Sequence, residues 1–125
     1  MLQISTRTIA DAVVVDCVGE IIYREEAASL RQQVKELLSG SRCVVLNLAG
    51  IQRVDSNGIG TLVALLSSAQ AGGAELMLAA LGKRMKDVLQ VTKLTDLFDI
   101  HETVEAALES HRLASTPLAV NELVS

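Results

Sequence analysis

The chain is nearly devoid of aromatic side chains. It has no tryptophan, one tyrosine (Tyr23) and one phenylalanine (Phe98). That removes the platforms on which single-stranded nucleic acid stacks its bases. Positive charge is also in deficit: 11 Lys and Arg stand against 15 Asp and Glu, for a net charge of −4. A surface that grips phosphates needs the opposite sign, so no nucleic-acid partner is expected. Long apolar runs are missing too. No stretch approaches the roughly 18 residues of a membrane span, and the first ten residues carry Gln3, Ser5, Thr6 and Arg7 instead of the apolar block of a signal peptide. The expectation is a soluble, cytoplasmic protein with no membrane insertion. The two cysteines, Cys17 and Cys43, sit inside apolar runs without C-x-x-C spacing. They read as reduced core thiols, not as a disulfide or a metal pair.

What is present is aliphatic: half of the 125 residues are apolar, enough for one core in one domain without a covalent staple. "MLQISTRTI" and "AVVVDCVG" read as two strands around an Ala10-Asp11 turn, the second ended by Gly19. In "EEAASLRQQVKELLSG", Ala27, Leu30, Val34, Leu37 and Leu38 form one helical stripe; Glu25 and Glu26 suit its start and Gly40 its end. "CVVLNLAGI" is a buried strand, and "AGGAELMLAAL" a break followed by another. "GKRMKDVLQVTKL" places Met85, Val88 and Leu89 at helical spacing, with Met77 and Met85 as core fillers. "TDLFDIHE" holds a short strand and "TVEAALESHRL" a last helix through Val104, Ala107, Leu108 and His111. The order β-β-α-β-α-β-α-β-α predicts an α/β fold, with a mixed, mostly parallel sheet of about five strands and about four helices. Residues 1–112 form the domain, and 113–125 a tail that is flexible or docks locally.

The stretch "RVDSNGIGTLVALL" carries the functional information. Asn57-Gly58 is a hairpin signal, but Ile59, Leu62, Val63, Leu66 and Ala69 then recur at three and four, a helix period. The corner therefore joins a buried strand to an amphipathic helix that Asp55 or Ser56 can cap. Gly58 and Gly60 lower helix propensity in its first turn, which suggests close approach of another backbone or of a partner. Phosphate loops do not fit. Gly58 and Gly60 lack the third glycine of G-x-G-x-x-G, because position 63 is Val; Gly82-Lys83 has Met77 and Arg84 where a P-loop needs Gly and Ser or Thr. Asp55 as the phospho-acceptor of a receiver domain would need further acids for magnesium and a Lys after the last strand. Asp16 lies mid-strand and no Lys follows "LFDIHE".

Taken together, "GE" at Gly19-Glu20, the helix with Ala28 and Leu30, "VVLNLAGIQRVDSNGIGTLV" and the segment from "GGAELMLAAL" to "TVEAAL" resemble the STAS domain of anti-sigma factor antagonists, over roughly residues 12–110. The D-S-x-G-I-G core carries the likeness. The resemblance implies a non-enzymatic binding module that captures an anti-sigma factor, often a serine kinase, and so releases a sigma factor. In switched members the kinase phosphorylates the residue before the Gly and a phosphatase restores it. That position here is Asn57, which has no hydroxyl; Ser56 is the substitute candidate. Ile22 also stands where the family often carries an acid. The resemblance places partner contacts at Ile22, Tyr23, Asp55, Ser56, Asn57, Gly58 and Ile59, with no cofactor and no metal. An alternative within the family is a scaffold or accessory subunit of a larger assembly, stressosome-like or in lipid transport. An alternative of another class is a small enzyme or nucleotide binder.

The remaining candidates have plain readings. His101-Glu102-x-x-Glu105 misses the second His of H-E-x-x-H and reads as a solvated helix start. His111 reads as a partly buried helix residue. Asp55 and Glu20 read as caps or surface groups rather than paired catalytic carboxylates. Ser56 lacks the G-x-S-x-G elbow of a nucleophile. Ser115-Thr116-Pro117 is a modification motif too common to carry weight.

Overall fold

A computed structural model describes residues 2–114. The tail from 115 onward, with its Ser-Thr-Pro triplet, lies outside the described residues. Nine elements follow one another as β1 (Gln3–Ile9), β2 (Ala12–Ile21), α1 (Arg24–Gly40), β3 (Cys43–Val54), α2 (Ser56–Gly72), β4 (Glu75–Ala79), α3 (Lys83–Val91), β5 (Asp99–His101) and α4 (Val104–Ala114). The strands form one sheet in the order β1-β2-β3-β4-β5. β1 pairs antiparallel with β2, and every later pairing is parallel. This is the expected mixed α/β sheet.

The central strands β2, β3 and β4 carry apolar runs where both faces of the sheet are covered. On one face Val13, Val15, Cys17, Val44, Leu46, Leu48, Leu76 and Leu78 meet the buried sides of α1, α2 and α3. On the other, Ala12, Val14, Cys43, Val45, Met77 and Ala79 meet Val104 and Ala107 of α4. A lone helix covers only part of this second face. Beyond it Asp16 and Asn47, register partners on β2 and β3, emerge beside Arg7 of β1. Arg7 Nε donates to Asp16 Oδ2 at 2.8 Å, and Asn47 Nδ2 to Asp16 Oδ1 at 2.7 Å. The mid-strand acid is thus a structural polar ladder.

Two expectations change. β3 continues past Ile51 to Val54, because Gly19–Ile21 of β2 supply pairing after β4 has ended. His101 closes β5, its Nε2 2.9 Å from Asp99 Oδ1, so the H-E-x-x-E segment runs from a strand end through a bend into the first turn of α4, where Glu105 lies, and only its last part is a helix start. Both cysteines are free and buried. Among the described residues, no helix is long and apolar enough to cross a membrane.

Candidate functional site

The corner forms where β3 leaves the sheet. Asp55 keeps extended backbone geometry (φ −112°, ψ −169°), and its side chain caps α2. Oδ1 accepts the backbone N–H of Asn57 at 2.9 Å and of Gly58 at 3.2 Å. The Asn57 side-chain amide donates to Oδ2 at 3.4 Å. The carboxylate thus satisfies two donors that a helix start leaves free, and its negative charge faces the positive end of the helix dipole. The first turn of α2 is fixed, and with it the two residues at its tip.

Beneath the tip, the Asp55 N–H donates to the Ile21 carbonyl at 3.2 Å. Gly58 lies against the same residue: a Cβ there would meet the Ile21 oxygen at 2.6 Å and Val54 Cγ2 at 2.4 Å. Gly58 is therefore the close approach that lets α2 sit on the end of β2. Gly60 differs. It is exposed, and a Cβ there would meet nothing within 4 Å.

The structure brings Ile22, Tyr23, Asp55, Ser56 and Asn57 onto one rim, with Gly58 and Ile59 turned toward the core beneath it. Ser56 and Asn57 are exposed at the tip, and Tyr23, just ahead of α1, is 60% exposed. Ile22 and Asp55 are half-buried between them, and Ile59 packs partly onto the core. Gly58 is buried and offers the surface no side chain. Ile22, Tyr23 and Asp55 line one side of a cleft of about 600 Å³, whose other wall comes from Gly82, Arg84 and Val88 around the start of α3. A second groove, of about 430 Å³, runs from Asn57 and Thr61 between α1 and α2, with Arg24, Arg31 and Lys35 along its α1 side. Glu20, the residue after the positive-φ Gly19 (φ 119°), is tied to Arg53 at 3.1 Å and braces the β2–β3 ends below the rim.

The α3 wall and the cationic α1 face escaped the sequence reading. Their residues recur with ordinary helix surface spacing, and only the packing of three helices onto one sheet face turns them toward the corner.

The arrangement is a mixed sheet presenting a capped helix tip between two grooves. The family model for the STAS domain matches residues 3–107, and the chain belongs to that family. It is 30% identical over 73 residues to an anti-sigma factor antagonist homologue from Thermotoga neapolitana, an alignment covering 58% of this chain. The chain spans 65% of the length of that curated relative. Among solved structures, an anti-sigma factor antagonist from Thermotoga maritima superposes with a TM-score of 0.81 at 24% identity, covering 87% of this chain and 94% of that one. Another from Mycobacterium paratuberculosis superposes at 0.80 with 20% identity, covering 90% and 95%. At these identities the two structures speak to the fold.

Proposed function

We propose that this chain is an anti-sigma factor antagonist that captures an anti-sigma factor on the rim formed by Tyr23, Ser56 and Asn57, and so releases a sigma factor. The observation that carries the reading is the tip of α2: two exposed polar residues held rigid by Asp55 and flanked by an exposed tyrosine. A preorganised, half-apolar rim lowers the ordering cost of association, and an exposed Tyr is a common anchor of protein interfaces. Arg24, Arg31 and Lys35 beside Asn57 favour an acidic partner surface.

Asn57 sets the regulation. A phosphoserine at this position would add about −1.5 to −2 charges next to Asp55, and like charges juxtaposed at a docked interface cost several kcal/mol. At about 1.4 kcal/mol per tenfold in affinity, one phosphate suffices to switch binding off. Asn57 carries no hydroxyl and instead donates to Asp55. The rim is therefore held in the binding-competent state, and a kinase-type partner binds without inactivating it.

The test is a pull-down with the full chain, followed by calorimetric titration of the captured anti-sigma factor into wild type and Tyr23→Ala. Capture of an anti-sigma factor, with affinity lost in the variant at unchanged melting temperature, supports the reading. Recovery of a permease or a self-assembled particle instead would replace it with the scaffold role, and tight nucleotide binding would replace it with the enzyme class.

A further inference from the structure

A second cluster lies at the opposite end of the sheet. β3 spans 12 residues, so roughly 40 Å separates its start from the α2 tip. Cys43 and Glu75 are register partners at the first positions of β3 and β4, which puts their side chains on one face. α4 crosses that face with the buried stripe Val104, Ala107 and His111, and His111 lands above the pair. Its Nδ1 is 2.6 Å from Glu75 Oε1, and its Nε2 is 3.0 Å from Asp11 Oδ1 in the β1–β2 turn. One donor atom each from Cys43, Glu75 and His111 lies within 4.8 Å of the others.

We propose that Cys43, Glu75 and His111 form a binding site for a zinc-class divalent cation, with Asp11 orienting the imidazole. A thiolate, a carboxylate and an imidazole are the donor types such ions take, at ligand distances of about 2.0–2.3 Å, and one donor atom of each already stands within 4.8 Å of the others. Three protein ligands leave one position for water. The His111 side of the cluster borders a cleft of about 360 Å³ that Asp11, Ala12 and Leu108 also line. Asp11 accepting from Nε2 completes the carboxylate–histidine–metal arrangement that fixes the ring tautomer.

A dication would supply the positive charge that the carboxylates of Glu75 and Asp11 face. On binding, Cys43 coordinates as the thiolate and its proton leaves to solvent, while His111 coordinates through Nδ1 and donates its Nε2 proton to Asp11.

The experiment titrates the chelator-treated full chain with Co²⁺, then Zn²⁺. One equivalent of Co²⁺ is expected to produce a thiolate-to-metal charge-transfer band in the near ultraviolet, which Zn²⁺ abolishes by displacement. Calorimetry in buffers of different ionisation enthalpy should show net proton release on zinc binding, reduced in Cys43→Ser. Cys43→Ser should lose the band and bind zinc at least tenfold more weakly. Asp11→Asn should keep the band and weaken zinc about 10- to 100-fold. Absence of the band in wild type at stoichiometric cobalt overturns the proposal whether or not the variants fold, and so does a band that survives Cys43→Ser.

Discussion

Gly58 lies directly against the backbone of Ile21: a Cβ on the glycine would stand 2.6 Å from the Ile21 carbonyl oxygen. That oxygen already accepts the N–H of Asp55, so it cannot retreat without loosening the helix cap. Gly58→Ala is therefore expected to destabilise the fold by about 1–3 kcal/mol, the range for overpacking a site that has no room. Gly60→Ala, two residues on, meets open space and should stabilise by about 0.5–1 kcal/mol through helix propensity. Urea denaturation of both variants checks the pair.

The cap itself offers a second prediction. Asp55 Oδ1 serves two backbone donors, so Asp55→Ala should cost about 0.5–2 kcal/mol. Asp55→Asn keeps an acceptor oxygen and should lose less than half of that. Denaturation midpoints at unchanged slope separate the two. An equal loss in both variants would mean that the charge, acting on the helix dipole, matters more than the hydrogen bonds.

The element order was legible because each helix carries its period: Ala27, Leu30, Val34 and Leu38 are all buried in α1, as the spacing of the sequence implies. The central strands β2, β3 and β4 were legible because covered faces demand apolar runs. The end of β3 was not, since Gln52 and Arg53 are exposed there and only the backbone of β2 holds them in the sheet. At the corner, the Asp55 cap follows from residue type and position. What the sequence leaves open is which glycine faces inward: Gly58 and Gly60 look alike until Ile21, 37 positions earlier, is placed beneath one of them. The environment of His111 was hidden for the same reason. Its partners Asp11 and Glu75 lie 100 and 36 residues away, and a helix stripe does not say what waits on the sheet.

Acid stability is expected to depend on Asp16. Its hydrogen bond from Arg7, with help from Asn47, holds its pKa below the ordinary aspartate value against the opposing effect of burial. A depressed folded-state pKa means the charged form is favoured by folding. The contribution is therefore fully present above about pH 4, the unfolded value, and is lost as pH falls through the folded one. At pH 7, Asp16→Asn should be less stable than wild type. The gap should narrow steadily below about pH 4. Urea titrations at pH 7, 4 and 3 read this out; a gap that stays constant across the series would show that packing, not charge, makes the difference.

If the proposed function holds, residue 57 decides the regulation. Replacing Asn57 by Ser supplies a hydroxyl there and leaves intact the backbone N–H that Asp55 accepts. Incubated with a kinase-type anti-sigma partner and ATP, Asn57→Ser is expected to take up phosphate at residue 57, whereas wild type takes up none, Ser56 included. Mass spectrometry locates the group. Phosphorylated Asn57→Ser should then bind the partner at least 100-fold more weakly than the unmodified variant, since about 1.4 kcal/mol is a factor of ten and the new charge sits beside Asp55. Asn57→Asp, which adds one charge and removes the amide donor to Asp55, should fall between the two. Stoichiometric phosphate on Ser56 of wild type would reassign the switch to the neighbouring hydroxyl. Unchanged affinity in both the phosphorylated Ser and the Asp variant would place the tip outside the interface altogether.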